Sequence, residues 1–88
     1  MKVAFLSRPG CHLCDEALAG LREHLAGKDP DQPVIEIEEI DIESDDRLHR
    51  LYLERIPVIR IGEETISELV FDPEEFDAAV DRHRQALG

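Results

Sequence analysis

Cysteine is scarce in this chain: its 88 residues contain two, Cys11 and Cys14. A small secreted scaffold stapled by disulfides would carry more, spaced to join distant loops, and that class is excluded. A bridge between these two would close so tight a loop that it restricts the unfolded chain little, which makes stability a poor reason for the pair. Glycine and proline number five each, too few for a collagen-like or low-complexity chain. Basic residues are short as well: ten Lys and Arg stand against 21 Asp and Glu, a formal net charge of −11. The cations are scattered, so the concentrated basic face that nucleic acid or an anionic membrane requires is missing. No apolar run approaches the roughly 20 residues of a membrane span. Val3–Leu6 is also far shorter than the about 7–15 apolar residues of a secretory signal core. The expectation is a soluble, cytoplasmic protein with no nucleic-acid and no membrane partner.

What is present is an ordinary globular mixture, 42% hydrophobic and 35% charged. A chain this short holds one core, so residues 1–88 are read as a single domain and the protein as a monomer. Lys2-Val3-Ala4-Phe5-Leu6 fits a buried strand at about residues 2–7, closed by the turn signal Arg8-Pro9-Gly10. Cys14, Leu18, Leu21 and Leu25 then recur at helical spacing, placing a helix at about residues 11–26. Gly27 is its stop, and Pro30 and Pro33 prevent its continuation. Val34–Ile42 alternates Ile with Glu and reads as a strand, but its Ile phase changes, which predicts a bulge or strand end near Glu39.

Ser44 is a candidate cap for a short second helix with Leu48, Leu51 and Tyr52 on one side. Pro57 opens Val58–Ile61, and Gly62-Glu63-Glu64 turns it into Thr65–Glu68, an antiparallel hairpin. Asp72-Pro73-Glu74-Glu75 is a strong helix start, followed by Phe76, Ala79, Val80 and His83 at helical spacing. Phe5, Phe71 and Phe76 are candidate core residues and Tyr52 a core edge. His24, His49 and His83 lack ligand spacing with one another and read as surface or boundary residues.

Cys11-His12-Leu13-Cys14 falls where a strand passes into a helix. Cys11 would lie at the helix N-terminus, where free backbone N–H groups and the macrodipole favour a thiolate. Cys14 shares the helix face carrying Leu18, Leu21 and Leu25 and would be shielded. A nucleophile and a resolving thiol need this asymmetry. Arg8 and a protonated His12 would support the Cys11 thiolate, and Asp15 and Glu16 would oppose it. Three readings are open: a disulfide oxidoreductase pair, a metal or iron–sulfur site, and two ordinary buried cysteines. No metal ligands are assigned, since zinc usually wants four and only His12 is nearby.

The order strand, Cys-x-x-Cys helix, strand, helix, Pro-led hairpin and final helix resembles the thioredoxin fold in its short glutaredoxin-like form. Ser7-Arg8-Pro9-Gly10-Cys11-His12-Leu13-Cys14-Asp15-Glu16-Ala17, with Ile56-Pro57-Val58 downstream, looks like the signature of small bacterial glutaredoxin-like proteins. The resemblance implies an α/β fold, β-α-β-α-β-β-α, with a four-stranded mixed sheet and helices on both faces. It also implies a cis bond at Pro57 facing the cysteines, with the Ile56 backbone offered to an extended substrate. Arg8 stands where glutaredoxins often place a Lys that contacts glutathione. The sequence departs from that family at Leu69-Val70-Phe71, where glutaredoxins have Gly-Gly, and at His12-Leu13, where they have Pro-Tyr. The implied function is thiol–disulfide exchange through Cys11 and Cys14, with no bound cofactor, glutathione as a co-substrate of weak affinity, and a disulfide-containing protein or small thiol as substrate. Glutathione or a thioredoxin-type reductase would regenerate the dithiol. The alternatives are a non-catalytic thioredoxin-fold binding module and an iron–sulfur or metal carrier.

Overall fold

Lys2–Ser7 forms β1 and His12–Ala26 forms α1 in the computed structural model, which describes residues 1–27 and 34–87. Glu36–Asp41 is β2 and leads into one 3-10 turn at Ile42–Ser44. Asp46–Tyr52 is α2, Val58–Ile61 β3, Glu64–Glu68 β4 and Pro73–Leu87 α3. The strands lie in the order β2-β1-β3-β4, with β1 parallel to β2 and antiparallel pairing elsewhere. The fold is the expected α/β class. No helix of the described residues is long and apolar enough to cross a membrane.

Both faces of the central strands are buried. Val3 and Phe5 occupy one face of β1 and Leu6 the other, all at most 1% exposed. Antiparallel partners share a face, so Phe5↔Ile59 lies on one side and Leu6↔Val58 with Ala4↔Arg60 on the other. Arg60 donates to the Tyr52 hydroxyl at 3.4 Å, which places α2 on that second face. The first face is covered by α1 and α3, which are clasped by His24 Nε2 and Asp77 Oδ1 at 2.9 Å. Leu21 of α1 and Phe76 and Ala79 of α3 are buried there almost completely.

Local chemistry accounts for most element ends. The Asp72 carboxylate accepts the N–H groups of Glu74 at 3.0 Å and Glu75 at 3.3 Å, capping α3 as its sequence demands. Gly27 ends α1, its N–H donating to Glu23 O at 3.2 Å. Pro30 and Pro33 lie outside the described residues.

Three expectations are corrected. No bulge or strand end occurs near Glu39, because the β1–β2 register runs unbroken from Lys2↔Glu36 to Ser7↔Asp41. The change of Ile phase has another cause. The sheet is covered on both faces, so Ile37 and Ile40 are each half-buried on opposite sides, and Ile42 is buried beyond the strand end. The irregularity lies between Ile59 and Arg60, against β4. The cap of α2 is Asp45 and not Ser44: the Asp45 carboxylate accepts the Arg47 N–H at 2.7 Å, while Ser44 Oγ donates back to Asp41 O within the 3-10 turn. Leu51 is exposed rather than inward, because so short a helix turns only the i, i+4 pair Leu48 and Tyr52 toward the sheet.

Candidate active site

The turn after β1 sets the geometry. Gly10 takes φ +79°, a conformation that side chains resist. The Cys11 N–H donates to Arg8 O at 3.3 Å across that turn. Cys11 is the N-cap of α1, with extended backbone (φ −85°, ψ 107°). Its carbonyl accepts the first helical hydrogen bond, from the Asp15 N–H at 3.1 Å. Its sulfur accepts the Cys14 N–H at 3.1 Å, the place a Ser or Asp oxygen fills at most helix starts. A negative sulfur strengthens such a bond, so the cap favours the thiolate.

Cys11 and Cys14 are joined as a disulfide with Cα atoms 5.2 Å apart. Cys11 is half-buried, whereas Cys14 is 2% exposed and packs in the core. The two sulfurs therefore differ in access.

Strand register brings three segments to the same end of the sheet. Leu6 pairs with Val58 and Val58 with Glu68. Hence Pro57, just before β3, and Leu69, just after β4, lie at the end where β1 delivers Cys11. The Ile56–Pro57 bond is cis and both residues are buried. The Ile56 N–H donates to Tyr52 O at 3.0 Å and is therefore committed within the chain. The Leu69 N–H donates to Pro57 O at 2.8 Å and to Arg55 O at 3.2 Å, tying the exit of β4 to the proline.

The cations expected near Cys11 each face an acid. Arg8 Nε lies 3.8 Å from Glu43 Oε1, and His12 Nε2 lies 3.0 Å from Glu16 Oε1, with His12 largely in solvent. Arg55 pairs with Glu68 and lies over the Tyr52 ring, 4.9 Å from its centroid. Glu43 is the neighbour the sequence did not disclose. The parallel register Ser7↔Asp41 brings the residues after β1 and β2 out at one end, so Arg8 meets Glu43 although they are far apart in sequence. His12–Glu16, by contrast, has the i, i+4 spacing that marks a helical pair.

His24 pairs with Asp77 at 2.9 Å and His83 with Glu64 at 3.0 Å. Among the described residues no group of three or more His, Cys, Asp or Glu comes together in a way that could hold a metal ion.

A mixed four-stranded sheet, with a Cys-x-x-Cys pair at the N-terminus of the helix after β1 and a buried cis-proline at the same end of the sheet, defines a thioredoxin-fold protein with a redox-type cysteine site. Residues 2–83 match the Glutaredoxin-like domain (DUF836), and the chain belongs to that family. Among solved structures it is similar to protein Ne2328 from Nitrosomonas europaea, at 31% identity and a TM-score of 0.72, over 89% of this chain and 88% of that one. It is also similar to protein XcR50 from X. campestris, at 27% identity and a TM-score of 0.68, over 91% and 96% of the two chains. Thioredoxin 1 from Thermosipho africanus shares the fold, with 21% identity and a TM-score of 0.60 over 98% and 97% of the chains. No curated protein matches the chain.

Proposed function

We propose that the protein is a thiol–disulfide oxidoreductase in which Cys11 is the nucleophile and Cys14 the resolving thiol. The observation that carries this reading is the position of the Cys11 sulfur: half-exposed, at a helix N-terminus, accepting a backbone N–H. In the reduced protein the Cys11 thiolate attacks one sulfur of a substrate disulfide. That S–S bond breaks, and the other sulfur leaves as a thiolate. Cys14, deprotonated, then attacks the Cys11 sulfur of the mixed disulfide, forming the Cys11–Cys14 bond and releasing the second substrate thiol. Two electrons pass from protein to substrate. A thiol reductant, glutathione or the dithiol of a thioredoxin-type reductase, restores the starting state.

Substrates are disulfide-containing proteins or small disulfides. Glutathione is a weak co-substrate in this reading, since Arg8 already faces Glu43 and side chains fill the Leu69–Phe71 segment. Redox titration in glutathione buffers, read by thiol alkylation and mass, tests the function. A single two-electron transition is expected, with Cys11 alkylating faster than Cys14 in the reduced protein. Equal alkylation rates at neutral pH, or two independent one-thiol transitions, would remove the assigned roles.

A further inference from the structure

The turn that delivers Cys11 is tied to the exit of β2 by one charge pair. Arg8 O accepts the Cys11 N–H at 3.3 Å, so residues 8–11 close a β-turn. Its central residues, Pro9 and Gly10 at φ +79°, are those a type II turn takes. Such a turn brings its first and fourth Cα atoms within about 7 Å, which puts the Cys11 sulfur within the span of the Arg8 side chain. Yet Arg8 Nε is found 3.8 Å from Glu43 Oε1.

Glu43 stands on a turn built to hold its place. Ile42, just before it, is fully buried. The Asp41 carboxylate accepts the Glu43 N–H at 2.8 Å, and Ser44 Oγ donates to Asp41 O at 2.6 Å. The backbone of Glu43 is therefore fixed, whereas its pair with Arg8 is loose: the two side chains are 45% and 40% exposed, and so open a pair is weakly held. In the disulfide the Cys11 sulfur is neutral, and Glu43 meets no rival there for the cation. Reduction changes this. A dithiol gives two electrons and two protons, its own sulfurs join as a disulfide, and the Cys11–Cys14 bond breaks. Cys14 keeps one proton, and the other leaves to solvent when Cys11 ionises.

We propose that Glu43 is a positioning residue for Cys11: it competes with the Cys11 thiolate for the Arg8 cation and thereby sets how readily Cys11 ionises. The inference rests on the exchange reading and adds a residue that regulates its nucleophile. The other charges at this end are Asp15 and the His12–Glu16 pair on α1, the Arg55–Glu68 pair, and Asp41, which caps the turn of Glu43. Residues 69–71 carry no charge. All of these stay the same in the variants below, so differences among those variants report Arg8 and Glu43.

The test follows the rate of Cys11 alkylation by iodoacetamide against pH in the reduced protein, with the modified cysteine read by peptide mass. It compares wild type, Glu43→Gln, Arg8→Gln and the double variant. Glu43→Gln is expected to move the pH midpoint down and to raise the rate below that midpoint about two- to fivefold. Arg8→Gln is expected to move the midpoint up, and in its background Glu43→Gln should lose most of its effect. An unchanged midpoint in Glu43→Gln would overturn the proposal, whatever happened to the melting temperature. So would a full shift that persists without Arg8, because Glu43 would then act by its own charge alone. Exchange with a small symmetric disulfide, followed on the same samples, separates the two readings. A wild-type protein inert in exchange, whose alkylation midpoint still answers to Glu43 through Arg8, would overturn the exchange reading and uphold the competition.

Discussion

The two turns that bracket β4 use one region of backbone space and opposite side chains. Gly62, at the hairpin that starts the strand, has φ +59°; Leu69, where the strand ends, has φ +71°. Around Gly62 the local rules agree: a left-handed position takes glycine, and the first strand residue, Glu64, is matched by Arg82 and His83 of α3. Around Leu69 they conflict, with a leucine at positive φ and an exposed valine at the end of the sheet where β1 delivers Cys11. One end of the sheet follows folding economy. The other departs from it where the chemistry lies, as expected when a site and a scaffold make different demands on the same chain.

The largest expected effects concern the cysteines. Cys11→Ser should abolish disulfide exchange, whereas Cys14→Ser should still attack and accumulate a mixed disulfide visible by mass. Both should stay folded, since the bridge closes a very short loop. Cys11→Ser retaining exchange would move the chemistry off the helix N-terminus.

The core beneath both ends is next. Phe76 is 1% exposed and its ring lies 5.8 Å, edge to face, from that of Phe71. Phe76→Ala should cost about 3–5 kcal/mol, read as a lowered denaturant midpoint. Because Phe71 then loses its support, the 69–71 segment should loosen too. A stable Phe76→Ala protein would mean that Phe71 and its neighbours are held from elsewhere.

Much of this comparison was legible in the residues. The strand–turn–helix context of Cys11, the Gly62 hairpin and the Asp72 cap are local signals, and local hydrogen bonding realises them. The asymmetry of the two cysteines follows from helical spacing, which sends Cys14 to the face of Leu21. Less legible was whatever depends on pairing between distant segments. Arg8 meets Glu43 through strand register, and no spacing rule connects them. The Ile pattern of β2 suggested a bulge because one strand cannot reveal that its sheet is covered on both faces. Asp45 displaced Ser44 as the α2 cap because the serine was already used by the 3-10 turn. Leu69 gave no sign of its backbone, since a leucine at positive φ is what sequence preferences advise against.

Gly62→Leu places at the start of β4 the same conflict that the chain carries at its end. A Cβ built on Gly62 meets nothing within 4 Å, so the substitution adds conformational strain without a clash. The expected cost is about 1–2 kcal/mol in urea denaturation, with exchange rates unaltered. A negligible cost would show that this backbone region is tolerated by leucine in the fold generally, and the conflict at Leu69 would lose its meaning.

The smallest effect concerns the ion pairs at the hairpin end. Glu64 has its carboxyl held below the ordinary 4.5 by hydrogen bonds from Arg82 first and His83 second. A carboxylate whose pKa is lower when folded adds stability that is complete above its unfolded value. That stability is lost as pH falls from about 4.5 through the lowered folded value. Glu64→Gln should therefore lie slightly below wild type in denaturant midpoint at pH 6, with the gap closing as pH falls below about 4.5. The side chain is 44% exposed, so solvent screens the pair and added salt should shrink the gap further. Disulfide exchange should not change, because Glu64 stands at the end of β4 remote from Cys11. A gap that widened on acidification would reverse the sign of the Glu64 contribution. A coupled loss of exchange would mean that the two ends of β4 are not independent.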